Sequence, residues 1–169
     1  MTIRRAEPRD AEVIAELIRE LASYERAAGE VRITLEQIDR VLFGGDRRVF
    51  CELVEVGDGS VGGFAVWFLN YSTWTGQYGV YLEDLFVRPE YRGRGYGTAL
   101  LARLASECVT HGYTRLQWSA LDWNTPAIDF YTSLGAEAMS EWTVYRLSGA
   151  PLEQLARSSH VEGEPATGG

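Results

Sequence analysis

The chain has 169 residues, 46% apolar and 24% charged, with a net charge of −8. That length allows one domain with a sizeable core, and the balance is that of an ordinary globular protein. No apolar run nears the ~18 residues of a membrane helix, and the chain lacks the basic stripe that nucleic acid requires.

An acidic surface does suit a cationic ligand, which it steers inward. MTIRRAEPRD has basic residues but no apolar stretch after them, so no secretory signal is expected and the cytoplasm is the expected compartment. Cys51 and Cys108 read as reduced core-filling side chains. Neither they nor His111 and His160 have metal-ligand spacing, and no metal is expected.

In chain order, Thr2 to Ala6 reads as a short strand, and Glu7 to Asp10 as a turn in which Pro8 or Asp10 starts a helix. Val13, Ile14, Leu17, Ile18, Leu21 and Tyr24 fall at helical spacing, predicting an amphipathic helix over 11–24. Thr34 caps a second helix over 35–42, with Gly44-Gly45 beyond it. Strands over 48–56 and 60–69 flank Gly57-Asp58-Gly59 as a hairpin. Residues 70–79, NYSTWTGQYG, read as a polar and aromatic loop. A strand over 80–87 leads to a glycine-rich loop and a helix over 97–110. Another strand is predicted over 115–121. Thr125 then serves as N-cap and Pro126 as first residue of a helix ending near Leu134, with Gly135 as its stop. Residues 138–147 read as a final strand, 151–157 as a short helix and 158–169 as a loose polar tail. The expectation is one mixed α/β domain over 1–157.

The most informative stretch is YLEDLFVRPEYRGRGYGTALL, residues 81–101. An apolar strand ends at Arg88-Pro89, because proline has no ladder donor. Then follow Arg92-Gly93-Arg94-Gly95-Tyr96-Gly97 and the helical run that begins with Thr98. Three alternating glycines allow a tight turn. Free N–H groups and the positive dipole end at the helix start make an anion site, to which Arg92 and Arg94 add charge. The predicted ligand is a phosphate or diphosphate. The loop lacks the Lys-Ser/Thr of nucleotide hydrolases, and Thr98 stands where the dinucleotide fingerprint needs glycine.

In Arg-x-x-Gly-x-Gly after a strand, the chain resembles the GNAT superfamily of acetyl-CoA-dependent N-acetyltransferases. YLEDLFVRPEYRGRGYG, LDWNTPAIDFYTSLGA and LIRELASYE resemble in particular its spermidine/spermine (diamine) branch. The resemblance runs from Ile3 to about Leu155 and implies that superfamily's fold, a mostly antiparallel central sheet flanked by helices. It implies acetyl-CoA as cosubstrate, a small amine as acceptor and a homodimer whose interface lies near the final strand region. The coenzyme would be held by the backbone of Leu85, Phe86 and Val87, by Arg92 to Thr98 (Gly93, Arg94, Gly95, Tyr96 and Gly97 between), and by Asn124, Thr125, Pro126, Ala127 and Tyr131.

The chemistry that the resemblance implies is acetyl transfer to an amine. An alkyl ammonium has a pKa near ~10 and must lose a proton before it attacks. Glu83, at the branch's acidic position, would bind the cation and take that proton; in a regular strand Asp84 faces the other way, so only one of the pair faces the acceptor unless a bulge intervenes. Tyr131 would protonate the departing thiolate, while its neighbour Phe130 packs the helix. Tyr24 and Glu25, with Trp74, would hold the amine. No acyl-carrying nucleophile is evident, which favours direct transfer in a ternary complex over ping-pong. The chain departs from the branch in lacking Asp-Pro before Trp74 and in carrying Arg47-Arg48. Thialysine- or lysine-like amines and protein amines therefore stay open as acceptors, as does a non-catalytic acetyl-CoA-binding module.

Overall fold

The computed structural model describes residues 1–57 and 59–158. Asp58 in the hairpin turn, His160 and the expected tail from 159 onward lie outside them. The chain divides into two compact units, Met1–Ala120 and Leu121–Gly169.

The first unit is built on a five-stranded sheet in sequential order. Its strands are β1 (Thr2–Arg5), β2 (Val49–Glu55), β3 (Val61–Ser72), β4 (Gln77–Val87) and β5 (Leu116–Gln117). The first four pair antiparallel and β5 joins β4 in parallel. Helix α1 spans Ala11–Tyr24, α2 spans Leu35–Ile38, and α3 spans Tyr96–His111. Strand alternation divides the sheet's faces. Cys51, Leu53, Phe64, Val66 and Phe86 form one core with Ile14, Leu17 and Leu21 of α1. On the other face Glu52 is reached by Arg103 of α3 at 3.7 Å, and Leu100 and Leu104 of that helix are fully buried.

The expected α1 is found over the residues the spacing indicates. Asp10 stands before it without capping it, because its carboxylate accepts from the Glu7 N–H at 2.7 Å and binds Arg4 at 2.6 and 2.8 Å. At its far end the Ala27 N–H donates to Ala22 and the Arg26 N–H to Ser23, a Schellman closure with Arg26 left-handed at φ 63°. Thr34 caps α2 as expected, its hydroxyl accepting from the Gln37 N–H, but the helix widens into a π-type turn over Asp39–Phe43.

Residues 70–79 are not a loop. β3 and β4 continue pairing through Asn70–Gly79, Tyr71–Tyr78 and Ser72–Gln77, leaving only residues 73–76 as the turn. Their polarity is that of an exposed ladder, steadied by the Tyr71 and Tyr78 rings 5.3 Å apart. The strand predicted over 115–121 shortens to Leu116–Gln117, where its pairing with β4 ends.

The second unit contains α4 (Thr125–Ser133) and α5 (Gly149–Arg157). Asn124, not Thr125, is the N-cap of α4, so Pro126 sits at the second helical position, where a missing N–H is still harmless. Gly135 ends the helix at φ 87° as expected. Residues 138–147 form no strand: no ladder partner meets them among the described residues, and Val144 and Tyr145 are exposed. A β-prone sequence becomes a strand only where an edge is presented to it.

Candidate active site

The glycine loop follows β4 through a single 3₁₀ turn, Pro89–Tyr91. Gly93 and Gly95 are left-handed at φ 72° and 80°, and a Cβ at either would meet no atom within 4 Å. The glycines are thus needed for backbone conformation, and the space above them is open. Gly95 is the N-cap of α3 and makes no side-chain cap. The first helical bond runs from Ala99 N–H to Gly95 O at 2.9 Å, which leaves the N–H groups of Tyr96, Gly97 and Thr98 without an intrahelical acceptor. Three donors at the positive end of a 16-residue helix face the open space.

The loop's two arginines behave differently. Arg94 lies over the Tyr91 ring at 5.8 Å. Arg92 folds back: its Nε donates to Val87 O at 2.9 Å, and its guanidinium sits 4.7 Å from the Tyr24 ring and 5.5 Å from Phe86. Arg88, just before the loop, is fixed by Glu20 at 2.8 Å and by Val61 O at 3.0 Å. Past Tyr81, the edge of β4 turned away from β3 has no neighbouring strand among the described residues. The backbone of Leu85, Phe86 and Val87 therefore lies on an open edge, such as an extended chain can join.

The β4 register holds the main surprise. Trp67 pairs with Leu82 and Val66 with Asp84, so Glu83 is an extra residue in a bulge. Asp84 opposes Val66 and shares the face of Phe86, two residues on, whereas Leu82, just before the bulge, pairs with Trp67 on the other face. A bulge is the condition under which the expectation of a single acceptor-facing carboxylate lapses, so Asp84 is a candidate beside Glu83. Burial first, then Glu83 and Glu25, push the half-buried Asp84 carboxyl up to about 6. Burial also raises the carboxyl of Glu25, the residue that closes α1. Among the described residues none of these three carboxylates has a cationic partner. The fold has gathered negative charge here and left it unbalanced.

Glu25 thus joins the acidic group, with Tyr24 preceding it as the last residue of α1. Trp74 does not, since it stands 88% exposed in the hairpin turn. From Gln77 to Glu83 alone is roughly 20 Å at the rise of a strand. In the second unit Asn124 is buried and its carbonyl accepts from the Ala127 and Ile128 N–H groups, both at 3.0 Å. Thr125 and Pro126 are exposed, while Ala127 and Tyr131 are half-buried. The Tyr131 ring lies 5.4 Å from that of Phe130.

Residues 12–136 match the acetyltransferase (GNAT) family. The chain belongs to that family. It is an acetyltransferase of amine substrates, and GNAT enzymes take the acetyl group from acetyl-CoA. The chain is 36% identical over 164 residues to the thialysine N-epsilon-acetyltransferase of Bos taurus, covering 91% of this chain and 96% of the bovine protein. It is 32% identical over 163 residues to the Homo sapiens spermidine/spermine N(1)-acetyltransferase-like protein 1, covering 91% of this chain and 23% of that protein. An integron cassette protein of V. cholerae shares the fold at a TM-score of 0.77 and 28% identity, over 92% of this chain and 97% of that one.

The glycine loop fits the diphosphate of a GNAT coenzyme on its own terms: an open cradle, unfilled donors and a helix dipole. The residue that sequence reasoning undervalued is Asp84. The doublet Glu83-Asp84 was visible, but the bulge that leaves Glu83 unpaired beside Asp84 arises from pairing with β3. Among the described residues no group of three or more His, Cys, Asp and Glu is arranged to hold a metal. No helix among them is long and apolar enough to cross a membrane.

Proposed function

We propose that this GNAT enzyme acetylates a primary amine of a small di- or polyamine by direct attack in a ternary complex. The observation that carries this is the unpaired group Glu25, Glu83 and Asp84. An acceptor with more than one positive charge supplies what these carboxylates lack, and the Tyr24 ring adds an aromatic face. The second reading is a thialysine-like amine, favoured by the relative matched along nearly its full length.

Acetyl-CoA supplies the thioester whose carbonyl carbon the amine attacks. Backbone N–H groups from Arg92 to Thr98 hold its diphosphate, with Arg94 near. Leu85, Phe86 and Val87 pair with its extended arm, and the resemblance assigns Asn124 to Ala127 to the coenzyme as well. Glu83, in the bulge, holds the ammonium. Asp84 is the better proton acceptor, because a pKa near 6 matches a base at neutral pH better than an ordinary carboxylate does. Tyr131 donates a proton to the departing thiolate.

The test is CoA release across spermidine, spermine, putrescine, thialysine and lysine. Preference for the polycations supports the first reading and preference for thialysine the second. CoA binding without release on any amine would point to a silent binding module. Tyr131→Phe should cut turnover about 10²-fold or more while sparing CoA affinity. Unchanged turnover removes Tyr131 as the acid.

A further inference from the structure

Arg92 sits in the coenzyme loop, yet its guanidinium is committed to the other half of the site. Three contacts fix it: the hydrogen bond to Val87 O, the Tyr24 ring on α1 and the Phe86 ring on β4. Tyr24 is the last residue of α1, and Glu25, next in the chain, faces Asp84. A planar cation can accept a ring on its face while its edge donates hydrogen bonds. The edge is only partly used, because among the described residues the two terminal nitrogens of Arg92 have no acceptor.

We propose that Arg92 is a positioning residue that couples the coenzyme loop to the amine-binding end of α1. Phosphate oxygens above the loop take its free Nη donors and hold the guanidinium still. The stilled cation then fixes the Tyr24 ring and, through one peptide bond, the place of Glu25. Filling either half-site thereby improves the other, and such coupling is reciprocal.

The end of α1 needs such a tie. It closes with Arg26 in the left-handed region, a conformation that costs a non-glycine residue free energy. The closing turn Ala28–Glu30 that follows buries no residue. The stack on Arg92 links the end of α1 to the loop.

This inference rests on the acceptor site proposed above, so its test begins with CoA alone. Calorimetric titration would give CoA affinity for the wild type, Tyr24→Phe, Tyr24→Leu, Arg92→Lys and the double variant Tyr24→Leu/Arg92→Lys. Tyr24→Phe keeps the ring and should keep the affinity. Tyr24→Leu, altered on α1 outside the loop, should weaken CoA about three- to fivefold, the range of an exposed cation–π contact. In the Arg92→Lys background it should cost nothing more. If Tyr24→Leu binds CoA like the wild type, or if the two losses multiply, the coupling is wrong. Thermal melts confirm that each variant is folded, and Tyr24→Phe controls for the site itself.

A second arm titrates thialysine with and without CoA. CoA should tighten thialysine about threefold or more in the wild type and leave it unchanged in Tyr24→Leu and Arg92→Lys. A coupled CoA cycle in a protein that acetylates no amine would sink the functional reading and leave the link standing. Turnover of amines with an additive cycle would do the reverse.

Discussion

Asp84 and Glu52 are carboxylates drawn from water by the same sheet, one on each face, and their neighbours carry opposite charge. Burial raises the pKa of both. Glu52, fully buried, is met by Arg5 at 2.9 Å and Arg103 at 3.7 Å, which pull it back down against a weaker push from Glu107. Asp84 meets Glu83 and Glu25, which push it further up. An acid answered by cations within the chain joins α3 to the strands beneath it. One that faces only its own kind is complete when a cation arrives from outside. The distinction separates structure from chemistry more sharply than burial does.

The largest consequence falls on catalysis. Asp84→Asn keeps the shape and removes the proton acceptor, and should lower kcat/KM for the amine by about 10²- to 10³-fold. In the wild type kcat/KM should rise with pH through about 6, the value to which Asp84 is pushed, and this limb should vanish in the variant. A limb that persists near 6 in Asp84→Asn would return the role of base to Glu83. Glu52→Gln should leave kcat/KM unchanged; a comparable loss there would erase the contrast.

Stability should move the other way. The Asp84 pKa is about 6 in the folded protein and 3.8 in its ordinary state, so the fold favours the protonated form. That stability is fully present below pH 3.8 and is lost as the pH rises through 6. Asn is neutral throughout, so Asp84→Asn should match the wild type at pH 4 and exceed it at pH 8, by at most about 3 kcal/mol. Urea unfolding at the two pH values reads this directly, and equal stabilities at pH 8 would show that Asp84 carries no strain. Glu52→Gln should change stability by about 1 kcal/mol or less, because relief from burial offsets the lost ion pairs and Glu107 still holds Arg103 at 2.6 Å.

How far the sequence discloses this depends on the range of the interaction. The glycine loop and α1 are local patterns: Gly93 and Gly95 adopt the positive φ their identity suggests, and α1 covers the residues its spacing names. The bulge at Glu83 depends on how β4 pairs with β3, so alternation along β4 could not decide which of Glu83 and Asp84 faces the acceptor. Pairing also turns both ends of NYSTWTGQYG into ladder around a four-residue turn, and 138–147 meet no such partner among the described residues. The posture of Arg92 was equally hidden. A basic residue in a phosphate loop suggests a phosphate ligand, whereas its contact with Tyr24 depends on where a helix far earlier in the chain ends.

That helix end offers the smallest and cleanest effect. Arg26 holds φ 63° at the position of the Schellman closure where glycine is favoured, one residue from Glu25. Arg26→Gly removes the Cβ clash of the left-handed backbone but leaves a freer unfolded chain, so the net gain should be about 0.5–1 kcal/mol. Thermal unfolding measures it. Since the backbone hydrogen bonds of the closure do not depend on the side chain, amine KM should stay within about twofold if the geometry of α1's end is set by the closure and by Arg92. A much larger rise in KM would mean that the Arg26 side chain itself helps place Glu25. The acidic site would then be held from within its own turn as well as from the coenzyme loop.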